Sequence, residues 1–210
     1  MIRGLATALC AAALLAPSSA AHGGGGARGF RSTVTAVVPG TPGLAVEVRD
    51  SDDRLSLQNG TERPVVILGY EGEPYLRFDP AGTVYRNESS PATYLNEDRF
   101  GQVALPTGVS AKAKPRWKDV GDNGTYEWHD HRIHWMSRTD PPRVRRNPDR
   151  PQRVFTWVVP GRIDGEKLAI RGRLDYAPPP TSGPQPWHFA SVALAAVADA
   201  GLIFWRRRRG

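Results

Sequence analysis

Three of the five histidines in this chain lie close together in the segment Tyr126–Met136. Neutral imidazole is a good ligand for zinc and copper, so histidines at this density indicate either a metal site or a hydrogen-bonded polar core. In a β-strand, alternate side chains lie on the same face, about 6.5–7 Å apart at Cα. A strand through this segment would pair His129 with His131 and point His134 away unless the strand bulges. The spacing therefore predicts a candidate copper or zinc site built on His129 and His131.

The sequence leaves the third ligand of such a site open. His134 would serve if the strand bulges, and Glu127 and Asp130 supply carboxylates nearby. His22 is another candidate, because signal-peptide cleavage after Ala21 would make it the first residue of the mature chain. An N-terminal histidine offers its amine and its imidazole together, an arrangement that resembles secreted copper proteins of the CopC-like and histidine-brace kinds.

The same segment also fits a purely structural role. Trp128, Ile133 and Trp135 indicate burial, and buried imidazoles bonded to acids or backbone carbonyls would stabilise the edge of a sheet. Met136 is a soft copper ligand in the first interpretation and core filling in the second. Acid–base catalysis by the histidines is a third use. The residue pattern by itself does not choose among these alternatives.

A second group of polar and aromatic side chains precedes the histidine segment. Paired carboxylates beside tyrosine stacking platforms would suit a polysaccharide-acting hydrolase, whose two carboxyl groups must face each other across a cleft at about 5–9.5 Å. Neighbouring acids on one loop rarely reach that geometry, so ion pairing with arginine and side-chain packing are the alternative. The candidate ligand-surface residues are Glu71, Glu73, Tyr75, Tyr94 and Asp98 of this group, together with Trp128 and Trp135 of the histidine segment.

Motifs of the common enzyme classes are missing from the sequence. It contains no Gly-x-Ser-x-Gly elbow, no His-Glu-x-x-His, no P-loop and no dinucleotide-binding fingerprint. Its single cysteine, Cys10, falls in the predicted signal peptide, which leaves the mature chain without a thiolate for catalysis or metal binding. We therefore assign no catalytic residue, and the sequence favours a non-enzymatic binding or cell-envelope module.

The formal net charge of +7 comes largely from the two ends of the chain. Without Arg3, Arg206–Arg209 and Asp199, 23 basic and 20 acidic residues remain, a net charge of +3. This balance does not indicate a nucleic-acid-binding surface. The basic run Arg143–Arg153 would suit either an anionic cell-envelope polymer or an ordinary solvated loop.

Both ends indicate a single-pass protein of the cell membrane with its domain outside and its C-terminus in the cytoplasm. The first residues have the charged, apolar and small-residue regions of a secretory signal peptide. Residues 187–205 would rise about 28 Å as a helix, close to the ~30 Å hydrocarbon core of a bilayer, despite one acid at Asp199. The arginines that follow would form a cytoplasmic stop. The predicted organisation is a signal peptide (1–21), a flexible glycine-rich segment (22–30), a β-sandwich ectodomain (31–176), a proline-rich stalk (177–186), a transmembrane helix (187–205) and a cytoplasmic basic tail (206–210).

Between these ends the chain shows short strand-like patterns separated by glycine and proline turns. Leu44–Arg49 and Arg54–Gln58 alternate apolar and polar residues, and Asp164-Gly165 separates two β-branched runs as a hairpin turn would. Asn59-Gly60 marks a further turn, whereas residues 71–115 look loop-rich. A sustained 3.6-residue period does not occur in the ectodomain. The pattern predicts an all-β, antiparallel, Ig-like sandwich.

Four segments carry a resemblance to a known group of proteins. They are GYEGEPYLRF (69–78), SPATYLNEDRF (90–100), KPRWKDV (114–120) and YEWHDHRIHWM (126–136). In this order, between a signal peptide and a C-terminal helix, they resemble a family of secreted, membrane-anchored proteins of high-GC Gram-positive bacteria, over most of residues 30–180. The resemblance implies location and architecture, and it implies no activity.

Overall fold

The computed structural model describes residues 29–178 of the 210-residue chain. The predicted signal peptide, His22, the predicted membrane span and the basic tail lie outside these residues, as does most of the predicted stalk. Within residues 29–178, neither of the short helices is long and apolar enough to cross a membrane. The described part of the chain consists mainly of antiparallel β-strands, which agrees with the predicted all-β class.

Seven strands form the larger of two sheets, and every neighbouring pair in it is antiparallel. Its two longest strands are neighbours and form one hairpin. In spatial order the strands are β1 (Phe30–Val38), β10 (Glu166–Tyr176), β9 (Gln152–Ile163), β4 (Val65–Leu68), β5 (Pro74–Phe78), β6 (Val84–Asn87) and β7 (Trp117–Gly121).

The smaller sheet has three antiparallel strands in the order β2–β3–β8. They are β2 (Leu44–Arg49), β3 (Arg54–Asn59) and β8 (Thr125–His129). In this sheet β3 pairs with β8 in a register that sets Arg54 opposite His129. That register matters for the candidate site, because it brings the turn before β3 to the end of β8.

One hydrophobic core joins the two sheets. Leu55, Leu57 and Trp128 of the smaller sheet belong to the same buried cluster as Ile67 and Phe78 of the larger one. Burying a leucine or phenylalanine side chain contributes roughly 1.5–3 kcal/mol, so this shared core is the main force that holds the sheets together. The arrangement is that of an antiparallel β-sandwich.

The turn predicted at Asp164-Gly165 is confirmed as the connection between β9 and β10. Both residues have positive φ angles, 51° and 82°, as the central residues of a type I′ hairpin turn require. The turn predicted at Asn59-Gly60 begins the connection from β3 to β4, and these strands lie in different sheets. The Asn59 side-chain amide donates to the Arg63 carbonyl at 3.0 Å and so stabilises this crossing.

Residues 71–115 contain more regular structure than their composition indicated. They include β5, β6 and the short helix α1 (Pro91–Leu95), while a second short helix, α2 (Pro142–Arg146), follows the histidine segment. In β5 the adjacent residues Tyr75 and Leu76 are both buried, so the strand lacks the alternation by which a half-buried strand is recognised. The Ser90 hydroxyl accepts a hydrogen bond from the Ala92 amide and caps α1.

Candidate metal centre

The histidine segment is a strand only as far as His129, where β8 ends. Asp130 then turns the chain, because its Oδ1 accepts a hydrogen bond from the backbone N–H of Arg132 at 3.1 Å and its carbonyl accepts one from Ile133 at 3.2 Å. Such a side-chain-to-backbone bond is the usual way in which aspartate starts a turn. The predicted alternation, with His134 pointing away, is therefore wrong beyond His129: the turn brings His134 back onto His129.

The three imidazoles of this segment form one cluster. One nitrogen from each of His129, His131 and His134 lies within 4.8 Å of the others. The ring centroids are 4.7 Å apart for His129 and His134, 5.2 Å for His129 and His131, and 5.6 Å for His131 and His134. His129 and His134 are buried, with 8% and 1% of their surface exposed, and His131 is half-buried. The fold thus collects all three histidines that the sequence proposed from this segment.

Each ring has one nitrogen bonded to an oxygen acceptor. His129 donates from Nδ1 to the Asp53 carboxylate at 3.1 Å. His131 donates from Nε2 to the Asp98 carbonyl at 2.8 Å, and His134 donates from Nδ1 to the Trp135 carbonyl at 3.2 Å. A carbonyl oxygen can only accept, so when all three contacts are made the lone pairs are on Nε2 of His129, Nδ1 of His131 and Nε2 of His134.

Two of these lone pairs face each other directly. The Nε2 atoms of His129 and His134 are 2.9 Å apart. At this distance two lone pairs would repel each other. Either one ring donates an N–H from Nε2 to the other and gives up its own N–H contact with oxygen, or a cation lies between the two nitrogens.

An ionic network fixes the position of His129. Asp53 accepts hydrogen bonds from both His129 and Arg99, and Arg99 also donates to the fully buried Asp52 at 2.9 Å. The hydrogen bond from His129 and the charge of Arg99 lower the pKa of Asp53 to about 2, although its partial burial acts in the opposite direction. Asp53 is therefore an anion at neutral pH and a strong acceptor for the His129 ring.

The electrostatic surroundings keep the other two rings neutral. Burial, reinforced by the positive charge of Arg99, lowers the pKa of His134 to about 3. Burial also lowers the pKa of His131 below its ordinary value, against the effect of its bond to Asp98. Neutral imidazole is the form that binds metals.

His131 and the turn beside it are held by a second polar group. The Tyr70 ring stacks on His131 with centroids 5.5 Å apart, and the Tyr70 hydroxyl accepts the His131 backbone N–H at 3.0 Å. Asp130 is fully buried and accepts two hydrogen bonds from the Arg132 guanidinium and one from the Trp128 indole. Complete burial acts to raise the pKa of Asp130, but the charge and hydrogen bonds of Arg132 hold it below its ordinary value. With its oxygens engaged in this way, Asp130 supports the turn and does not serve as a metal ligand.

The candidates of the second group lie elsewhere and have other contacts. Glu73 is buried and accepts hydrogen bonds from the Ser90 hydroxyl at 2.6 Å and the Glu71 amide at 3.0 Å, while Glu71 is exposed. Tyr94 donates to the Glu88 carbonyl at 3.1 Å. Tyr75 and Trp128 are each 2% exposed, which leaves little surface for a ligand.

Asp98 and Trp135 have structural contacts beside the cluster. The Asp98 carboxylate accepts the backbone amides of Phe100 and Gln102, which lowers its pKa, while its carbonyl holds His131. The Trp135 indole donates to the Thr139 carbonyl at 2.7 Å. Trp135 is half-buried, so one side of its ring remains open to solvent.

An apolar pocket of about 420 Å³ opens next to the cluster. Its lining includes His131, His134, Trp135 and Met136. Met136 has 41% of its surface exposed, so it is not core filling. Two of the three histidines thus line an open pocket, and Met136 lines it with them.

Sequence reasoning missed Asp53, Arg99 and Tyr70 as parts of the site. Asp53 lies in the β2–β3 turn and looks like an ordinary polar turn residue; only the β3–β8 register places it beside His129. Arg99 and Tyr70 are distant in sequence and carry no spacing signal. Comparison with protein-family models, curated protein sequences and solved structures finds no match to this chain.

Proposed function

We propose that this protein binds a transition-metal ion, copper or zinc, through His129, His131 and His134. Two observations carry the proposal: one nitrogen from each ring lies within 4.8 Å of the others, and each ring has a nitrogen in contact with an oxygen acceptor. Metal-binding histidines usually donate their other N–H to a carboxylate or backbone carbonyl in this way.

The dimensions of the cluster are close to those of a three-histidine site. Nitrogen ligands lie about 2.0–2.1 Å from zinc, so two of them in tetrahedral geometry are roughly 3.3 Å apart. The facing nitrogens of His129 and His134 are 2.9 Å apart, which requires only a small separation, and the third nitrogen would move inward from at most 4.8 Å. Three protein ligands would leave a position for a further ligand from the adjoining pocket.

Met136 favours copper as the occupant. It lines the same pocket as His131 and His134 and is exposed, so it does not belong to the core. Soft thioether ligands select copper(I), whereas zinc sites rarely use methionine. Loss of copper(I) affinity in Met136→Leu with zinc affinity unchanged would identify methionine as a copper ligand.

The proposal is tested by metal analysis of the full chain, purified without a histidine tag. We expect about one equivalent of copper or zinc and a higher melting temperature with metal than without. His134→Gln should weaken binding by at least ten-fold, since even residues that only orient metal ligands affect affinity by about 10–100-fold. His188→Gln, at the one histidine that is not a candidate ligand, serves as the matched control, and His22→Gln tests whether the N-terminal histidine takes part.

Absence of bound metal in the wild type, with no change in melting temperature on adding copper(II) or zinc, would refute this function. The cluster would then be a structural network in which a shared proton joins His129 and His134. In that case His134→Gln would change the stability of the metal-free protein and nothing else.

For the whole chain we propose an extracytoplasmic, Ig-like β-sandwich, held to the cell membrane by one C-terminal helix and working as a binding or cell-envelope module. The signal-peptide pattern of residues 1–21 and the apolar run of residues 187–205 support this. Protease added to intact cells should degrade the domain and spare an epitope at the C-terminus. Protection of the whole chain would contradict this location.

A further inference from the structure

The outer face of the larger sheet carries an apolar row that crosses its strands. Val38 of β1 is paired with Ala169 of β10, which is paired with Pro160 of β9. Leu68 of β4 and Pro39 extend the row at its two ends, and the five residues line one groove of about 510 Å³. Val38 has 45% of its surface exposed although it is apolar. Neighbouring strands lie about 4.8 Å apart, so a row across four strands is roughly 14 Å long.

Cations flank this apolar row on both sides. Lys167 and Arg162 line the groove on one side and Arg171 lines it on the other, two positions along β10 from Ala169. Lys167 and Arg162 are directly opposite each other in the β9–β10 ladder. Like charges directly opposite on neighbouring strands are unfavourable.

The described part of the chain does not neutralise these three cations. The residues that line the groove include no acid, and among residues 29–178 none of the three makes a salt bridge with a carboxylate. Arg162 donates to the Gly165 carbonyl at 3.0 Å, a contact that holds its guanidinium at the rim without removing its charge. A ligand with one negative charge and an apolar chain would reduce the repulsion among the three cations and cover the exposed apolar row.

We propose that this groove binds a single anionic amphiphile, an acyl chain with a carboxylate or phosphate head group. The apolar row would cover the chain, and Lys167, Arg162 and Arg171 would contact the head group through charge-assisted hydrogen bonds. The volume falls within the range of small-molecule sites, about 300–1,000 Å³, which fits one molecule better than a flat membrane surface. None of the groove residues belongs to the histidine cluster, so this site is independent of the metal proposal.

Photo-crosslinking of the full chain tests the site. A palmitate analogue with a diazirine on its acyl chain is added in neutral detergent, and the labelled peptides are identified by mass spectrometry. We expect labelling of the peptides that contain Val38, Pro160 and Ala169. The double variant Lys167→Gln, Arg171→Gln should reduce this labelling about ten-fold, because charge-assisted contacts are lost from the head group. A phosphate-headed analogue distinguishes the two head groups by its relative labelling.

The controls separate recognition of the head-group charge from nonspecific labelling of apolar surface. Lys112→Gln, Lys114→Gln removes the same charge from an exposed loop outside the groove and should leave labelling unchanged. The uncharged alcohol analogue of palmitate should label the groove weakly. Equal labelling by acid and alcohol, or labelling spread over the chain, would overturn the proposal. So would binding to anionic vesicles with no crosslink in the groove, which would indicate a membrane-facing surface instead.

Discussion

Side chains outside the three imidazoles hold the histidine rings in the orientation that metal binding would require. Asp53 holds His129 in the tautomer that presents Nε2 to His134, and Arg99 fixes Asp53 in turn. Because the Asp53 carboxylate is an anion at neutral pH, it is a strong acceptor for the N–H of the ring that it contacts. The orientation of His129 in the cluster therefore depends on a residue in a different turn, the one between β2 and β3.

Asp53→Asn tests this dependence. The amide oxygen can still accept the His129 N–H, but the negative charge is lost, so the ring becomes a weaker ligand. We expect metal affinity to fall by about 10–100-fold, as is typical when the carboxylate behind a ligating histidine is changed. Competition with a metal chelator of known affinity measures the effect.

Asp175→Asn is the matched control for this change, because Asp175 pairs with Arg173 on the larger sheet and has no contact with the cluster. Chemical denaturation of both variants without metal separates a loss of affinity from a loss of folding. If Asp53→Asn bound metal as tightly as the wild type, the Asp53 contact would have no role in metal binding.

At the scale of elements, the β9–β10 hairpin depends on one glycine. Gly172 is paired with Trp157 in the ladder, and a Cβ built on Gly172 would lie 2.0 Å from the indole ring. The indole cannot move away easily, because it is 4% exposed and its N–H donates to the Ser32 hydroxyl at 2.7 Å. The aromatic ring thus lies on the position that a side chain would otherwise fill.

Gly172→Ala should destabilise the fold through overpacking. We expect a loss of about 1–3 kcal/mol in the free energy of unfolding, measured by urea denaturation. Gly40→Ala is the control, since a Cβ at Gly40 meets nothing within 4 Å. Equal stability of Gly172→Ala and the wild type would mean that Trp157 can leave its place at little cost.

The elements of this fold were predictable from sequence where one face of a strand is buried. Leu44–Arg49 alternates along β2 and was predicted with its observed bounds, and Asp164-Gly165 has the residues that a type I′ turn needs. β5 and α1 were not predicted, because a strand with adjacent buried residues and a five-residue helix give no period.

The candidate site was predictable only in part, and the reason is local. The density of histidines located the cluster, whereas strand alternation assigned His134 to the wrong face, because it assumed that the strand continued past His129. The Asx turn at Asp130 places His134 beside His129. This turn includes an ion pair between Asp130 and Arg132, which residue spacing does not reveal. Asp53 required the pairing register of β3 and β8, a long-range property.

At the scale of the whole molecule, the histidine cluster and its supporting residues join distant parts of the chain. Its histidines follow β8, Asp53 precedes β3, and Arg99 follows α1. A ligand that binds such a site only when the protein is folded stabilises the entire domain by mass action. The groove proposed for an amphiphile involves β1, β4, β9 and β10 instead, so its ligand would stabilise the same domain through a separate set of residues.

The shared core also makes the whole domain sensitive to alkaline pH through Tyr75. Burial raises the pKa of Tyr75 well above its ordinary value of 10.0. A group whose pKa is higher in the folded state contributes stability that is fully present below pH 10 and is lost as the pH rises above it, because the unfolded chain releases the proton first. Each such group lowers the free energy of unfolding by up to about 1.4 kcal/mol per pH unit.

Tyr75→Phe should therefore reduce the decline of stability between pH 10 and pH 11, measured by urea denaturation at each pH. The comparison uses the slope against pH, since loss of the hydroxyl also changes stability at neutral pH. Leu76→Val, a fully buried change on the same strand, controls for destabilisation without titration and should keep the wild-type slope. A Tyr75→Phe slope equal to that of the wild type would show that the phenol reaches solvent and ionises in the folded sandwich, which its 2% exposure argues against.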